Sequence, residues 1–253
     1  MNVLRKIMLP IFLAAAIAMS AGTALASQEI VVSAAASLTN AFTQIGKDFE
    51  GANPGVKVIF NFAASGPLLQ QIVQGAPVDV FASADLETMD EARQKGAVDA
   101  STVFDFAGTK LVLVAPKGSP LKGLKDLSGG FVRRIAVGKP ETVPAGRYTE
   151  EALEKDGMWG GLEPKFIYAA SVRQVLDYVA RGEVDAGFVY ETDAAIMPDK
   201  LKLVCEVGGH KRVVYPIAAV TSSKNPVLAR KFMEYVLGSK GQAVLAGYGF
   251  SKP

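Results

Sequence analysis

The sequence predicts an α/β protein of two lobes, with mixed, mostly parallel sheets and a two-strand hinge. Two observations carry the first part of that expectation. Short β-branched runs alternate with amphipathic stretches at helical spacing, the grammar of strands joined by right-handed crossovers. That alternation breaks at Gly118-Ser119-Pro120 and then begins again, which gives two units. A third observation supplies the hinge: a last strand at 213–220 and a helix at 226–237 bring the chain back to the first unit. The expected division is 1–26 as a leader, 27–108 with 217–253 as the first lobe, and 109–216 as the second.

The leader stands apart in composition. Arg5 and Lys6 precede an apolar run from Ile7 to Met19, and Ala24-Leu25-Ala26 has the A-x-A form of a cleavage site, as in a secretory signal peptide. The mature chain is then expected to begin at Ser27. Residues 7–26 are long enough to span a bilayer as an uncleaved anchor, but the small residues at the end favour cleavage. No Cys follows the site, so lipid anchoring is not expected.

Charge and rare residues exclude several classes of function. Both basic residues of the leader are lost on cleavage and no acidic one is, so the 27 basic and 25 acidic side chains of the whole chain come into balance. No basic patch points to nucleic acid. Cys205 is the single cysteine and His210 the single histidine. An intramolecular disulfide is therefore impossible, and a His/Cys metal site or a His-dependent nucleophilic triad has little to work with. Cys205 is expected to be buried in the strand LVCEV, and Trp159 and His210 to be structural or surface residues.

The elements follow in order. Ile30–Val32 begins a strand that runs through the small residues 33–36 into a helix with apolar positions Leu38, Ala41, Phe42, Ile45 and Phe49, and Ser37 is its candidate N-cap. Asn53-Pro54-Gly55 is a turn, residues 56–62 a second strand, and Ala63-Ala64-Ser65-Gly66-Pro67 a second turn into a helix, with Ser65 as candidate cap and Pro67 in the first turn. Residues 76–85 read as a strand and 85–95 as a helix, and a single apolar strand is expected within 103–116. In the second unit, a strand at 134–137 leads through Pro140, Pro144 and Gly146 to a helix at 148–155. A strand at 165–169 then leads to a helix capped by Ser171, with Val172, Val175, Leu176 and Val179 on one face. Residues 184–190 form a strand ending at Tyr190.

In open α/β sheets, ligands bind beyond the carboxyl ends of the strands. Four segments put small neutral residues there: 33–38, 63–66, 143–146 and 170–172. Tyr190 ends a strand and is placed to reach across the cleft. Each helix start presents unpartnered N–H groups at the positive end of a dipole worth about half a charge, so four of them facing one point would offer about two. Turns made only of donors favour a fully ionised tetrahedral oxyanion such as sulfate, molybdate or tungstate. A protonated one would bury an O–H without an acceptor, at a cost of about 1–3 kcal/mol. Arg147 is expected to be a solvated first-turn residue, and Asp79, Asp85 and Asp193 to be caps and hinge contacts rather than catalytic acids.

The segments AAASLTNAF, F-A-x-S-G (Phe62 to Gly66), GAPVDVFASAD, VGKPETVPAGRYTEEAL, SVRQVLDYV and GFVYETDA occur in the order and near the spacing found in the periplasmic molybdate-binding proteins of ABC transporters. The similarity spans about Ile30 to Phe250. Each motif is weak alone, and the ordered set is specific. The resemblance implies a type II periplasmic binding protein, non-enzymatic and without a cofactor, that closes on molybdate or tungstate and delivers it to a membrane permease. It further implies hydroxyl and backbone donors from Ser37 and Ser65, backbone N–H donors from Ala145 and Val172, and the phenol of Tyr190. These would meet oxyanion oxygens rather than the metal itself. The chain departs from the family at Ala64, where Ser is common, and at Pro67, whose nitrogen cannot donate. A periplasmic monomer is expected, and a sulfate or thiosulfate receptor of the same fold is the nearest alternative. A transferase on this scaffold would need a nucleophile, a base or a covalent cofactor site, and no such constellation is visible. The sensing half of a transcription regulator would need a DNA-binding helix pair in place of the leader.

Overall fold

The computed structural model describes residues 28–253. The expected signal peptide and its cleavage site lie outside these residues.

Alternation along β1 (Gln28–Ala35) sets the first sheet. Ile30, Val32 and Ala34 turn to one face and join the main core, while Val31 packs against a smaller cluster on the other. The sheet has the order β2-β1-β3-β10-β4, with β2 (Val56–Ala63), β3 (Val80–Ala82), β4 (Phe104–Thr109) and β10 (Val213–Ala219). The second sheet has the matching order β7-β6-β8-β5-β9, built from β5 (Leu111–Pro116), β6 (Ile135–Gly138), β7 (Phe166–Ala169), β8 (Ala186–Tyr190) and β9 (Leu201–Glu206). In each sheet the strands that alternate with helices pair in parallel, β1 with β2 and β3, and β6 with β7 and β8. The strands that carry the chain between lobes pair antiparallel, β10 with β3 and β4, and β5 with β8 and β9.

Helices cover both sheets: α1 (Thr39–Ala52), α2 (Ser65–Val73) and α3 (Leu86–Gln94) in the first lobe, then α4 (Pro144–Lys155), α5 (Trp159–Leu162), α6 (Val172–Ala180) and α7 (Glu191–Ala194) in the second. The chain ends in the first lobe with α8 (Pro226–Leu237) and α9 (Ser239–Gly247). Aromatic rings fill the space between α1, α8 and the first sheet, with Phe49 and Phe232 edge to face at 5.3 Å and Phe42 against Phe106 at 5.7 Å.

Several expectations change. The strand expected within 103–116 is two strands split at Lys110, because one half pairs with β10 in the first sheet and the other with β8 and β9 in the second. The return crossing is also displaced. Val213 to Pro216 pair with Thr109 to Asp105, so the chain re-enters the first sheet at Val213 rather than at 217. Helix α4 begins at Pro144 rather than Tyr148, with the proline at a first-turn position where its missing N–H costs nothing. Helices α5, α7 and α9 are not among the expected elements. Cys205 is only partly buried, because it lies in edge strand β9.

Candidate functional site

Both lobes contribute to one cavity of about 10 Å³, lined by Ala35, Ala36, Ser37, Ala64, Ser65 and Ala84 from the first and Val143, Pro144, Ala145, Val172 and Tyr190 from the second. A cavity of that volume has room for about one water-sized group. All five residues expected at the site line it. None of the eleven lining residues is charged.

Local structure explains how each comes to be there. Ser37 sits inside a short 3-10 turn, Ala36–Leu38, between β1 and α1. It is not the cap of α1, a position held by Leu38 without a side-chain bond. Ser65 is likewise the first residue of α2 rather than its cap, which is Ala64. Both expected caps are thus corrected: at Ser37 a 3-10 turn precedes the α-helix and moves its cap one residue later, at Ser65 the helix begins one residue earlier, and neither hydroxyl is used by its own helix. Ser171, by contrast, does cap α6 by accepting from Gln174 N–H at 3.2 Å. Ala145 is the second residue of α4 and Val172 the first of α6. Their N–H groups therefore belong to first turns, whose amides have no intrahelical acceptor.

The two hydroxyls are held from behind. The Ser65 Oγ accepts from the Ala84 N–H at 3.0 Å, which leaves its own hydrogen for another acceptor. Ser37 Oγ lies 3.0 Å from Tyr215 Oη. Were Ser37 the donor, the buried phenol hydrogen of Tyr215 would be stranded at a cost of about 1–3 kcal/mol. With Tyr215 donating, the Ser37 hydrogen is free in turn.

Tyr190 completes the set. Its residue is 1% exposed, and its Oη has no hydrogen-bond partner among the described residues. Burial pushes the phenols of both Tyr190 and Tyr215 well above the ordinary tyrosine range, so both remain neutral donors. The rings meet edge to face at 5.9 Å beside the crossing strands.

Direct bonds span the cleft around the cavity. Gly66 N–H donates to the Thr142 carbonyl at 3.1 Å. Arg147 on α4 donates to Asp85, the N-cap of α3, from Nε at 3.0 Å, and to Thr88 Oγ1 from Nη2 at 2.6 Å. Arg147 was expected to be solvated. Its side chain is mostly buried because Asp85 and Thr88 of the other lobe close over it. Arg173 on α6 donates to Asn40 Oδ1 at 2.7 Å and to the Ser37 carbonyl at 3.1 Å, both in the first lobe. The lobes are therefore closed on each other.

The remaining acids follow the expectation of caps and contacts. Asp79 accepts from Val31 N–H and Ser223 Oγ, and Asp193 accepts from Arg173 Nε at 2.6 Å. Burial raises the Asp193 carboxyl above its usual range, and Arg173 opposes that shift. Among the described residues, no three of His, Cys, Asp and Glu gather as a cation site, and no helix is long and apolar enough to cross a membrane. Sequence reading missed Tyr215, Asn40, Thr142 and the role of Arg173. The one local signal was a cation directly after Val172, and nothing in its spacing named its partners.

A model of the bacterial extracellular solute-binding proteins matches residues 30–251. The chain belongs to this family. The molybdate-binding protein ModA of Escherichia coli strain K12 is 42% identical over 243 residues, covering 91% of this chain and 92% of that protein. ModA of Haemophilus influenzae is 37% identical, covering 89% and 91%. Among solved structures, the periplasmic molybdate-binding protein of Azotobacter vinelandii matches with a TM-score of 0.77 at 26% identity, covering 88% of this chain and 99% of that one. The sulfate-binding protein SubI of Mycobacterium tuberculosis matches with a TM-score of 0.78 at 18% identity, covering 89% and 87%, a likeness of fold alone. The molybdate-binding relatives bear out the resemblance carried by the ordered motifs, and the two-lobed fold is that of the extracellular solute-binding proteins.

Proposed function

We propose that this solute-binding protein is exported to the periplasm, captures molybdate or tungstate between its lobes, and hands it to the permease of an ABC transporter without chemical change. The carrying observation is a cavity between the lobes with no charged lining residue, into which two hydroxyls, the unpartnered Tyr190 phenol and first-turn amides can donate. Ser37, Ser65, Ala145, Val172 and Tyr190 hold the oxyanion through its oxygens. The relatives named for molybdate support the choice of ligand. All donors come from one chain, which suits a monomer.

Capture follows from the physics of the donors. An anion entering an open cleft meets the positive ends of helices on one lobe, and closure adds those of the other. Water leaves, and each hydrogen bond strengthens as the local dielectric falls. A fully ionised tetrahedron accepts from every side, whereas hydrogen phosphate would present an O–H to a wall without a carboxylate. Sulfate passes that test as well, so its exclusion rests on the size of the cavity.

Calorimetric titration of the mature protein, freed of oxyanions by dialysis, tests this function with molybdate, tungstate, sulfate and phosphate in turn. The expected result is tight one-to-one heat with the first two and little with the others. Tight sulfate binding with no molybdate response would transfer the site to the sulfate or thiosulfate alternative. Silence with all four would overturn oxyanion capture.

A further inference from the structure

We infer that Arg173 is a positioning residue that ties the two halves of the oxyanion site together when the cleft closes. The inference rests on the proposed oxyanion site. Arg173 itself does not line the cavity, but its peptide follows Val172 and its guanidinium ends on Ser37, so one side chain joins a donor turn of each lobe.

Three bonds divide into two kinds. Arg173 Nε to Asp193 Oδ1, at 2.6 Å, lies within the second lobe and links α6 to the short helix that follows Tyr190. The bonds from Nη1 to Asn40 Oδ1 at 2.7 Å and from Nη2 to the Ser37 carbonyl at 3.1 Å cross the cleft. Asp193, 0% exposed, therefore aims the planar fork before closure, and Asn40 and Ser37 receive it afterwards. Donation to the Ser37 carbonyl also ties up the acceptor that the turn would otherwise present near an anion. The Asp193 carboxylate balances the guanidinium, so that the clamp adds no net charge beside a neutral cavity.

Two variants test the clamp while sparing the fold. Arg173→Lys keeps a cation beside Asp193 but lacks a fork able to reach three acceptors, and Asn40→Ala removes one acceptor on the first lobe. Molybdate dissociation by stopped flow and melting of the ligand-free protein are measured for the wild type, both single variants and the double variant. Each single variant is expected to dissociate molybdate about tenfold faster, with ligand-free melting unchanged, and the double variant to lose less than the product of the two. Unchanged dissociation would overturn the inference, as would full additivity. Faster dissociation matched by an equal loss of ligand-free stability would make Arg173 a structural residue only. A wild type that binds molybdate beside variants that behave like it sinks the clamp alone, whereas a wild type silent to every oxyanion sinks both the clamp and the proposed function.

Discussion

The phenol of Tyr215, on the strand that returns to the first lobe, stands 3.0 Å from the hydroxyl of Ser37, on the turn that opens it. Tyr215 is not in contact with the cavity, yet it decides where the Ser37 hydrogen points. Tyr215→Phe is expected to weaken molybdate binding about 3- to 10-fold, the worth of one neutral hydrogen bond, and to leave the fold intact. Titration beside thermal melting checks it, and unchanged affinity would mean that Ser37 is oriented by the anion alone.

Ser37 and Ser65 cap no helix, and each accepts one buried neutral donor, Tyr215 Oη and Ala84 N–H, so their removal costs the ligand-free fold one neutral bond and the ligand a charge-assisted one. Ser37→Ala and Ser65→Ala are each expected to cost about 1.5–3 kcal/mol of binding, as for hydrogen bonds to a charged group, and less than that in ligand-free stability. Equal losses in calorimetry and in melting would return both residues to a structural role.

Asp85 does two jobs, receiving Thr88 N–H as the cap of α3 and Arg147 from the other lobe. Asp85→Asn keeps a good capping residue while discharging the ion pair. Dissociation of molybdate should quicken about tenfold and melting of the ligand-free protein should stay within about 0.5 kcal/mol of wild type. A large loss of ligand-free stability would show that the lobes are already locked without ligand.

Gly66 allows the lobes to meet. A Cβ there would stand 2.7 Å from the Thr142 carbonyl oxygen across the cleft, which backbone cannot easily yield. Gly66→Ala is expected to fold normally but to remain open, and small-angle scattering with excess molybdate should show no compaction. Wild-type compaction would mean that the lobes can close in another register.

The cavity is lined by no His, Asp or Glu, and its titrating phenol is held protonated by burial. Because the folded state favours the neutral phenol, that contribution is present below the ordinary tyrosine pKa and is lost only as pH rises through the higher folded value. Molybdate affinity should therefore be level between about pH 6 and about pH 9. A titration series that slopes across this range would place an ionising group at the anion.

Local chemistry made much of this protein legible in its sequence. The β-branched runs and helical spacings located most elements, and the small neutral residues at 33–38, 63–66, 143–146 and 170–172 marked the turns that line the cavity, with Tyr190 at its strand end. Such features depend on neighbours a few residues apart, which is the range over which propensity and periodicity act. Tertiary structure alone decided that Ser37 and Ser65 are not caps, that Arg147 is buried against Asp85, that Tyr215 orients Ser37, and that Val213 to Pro216 belong to the first sheet. Each of these depends on a partner far away in the chain, brought near by strand pairing or by closure of the lobes. Spacing along one segment carries no record of such a partner, because which lone pair a guanidinium or hydroxyl finds is settled only when the two sheets come to face each other.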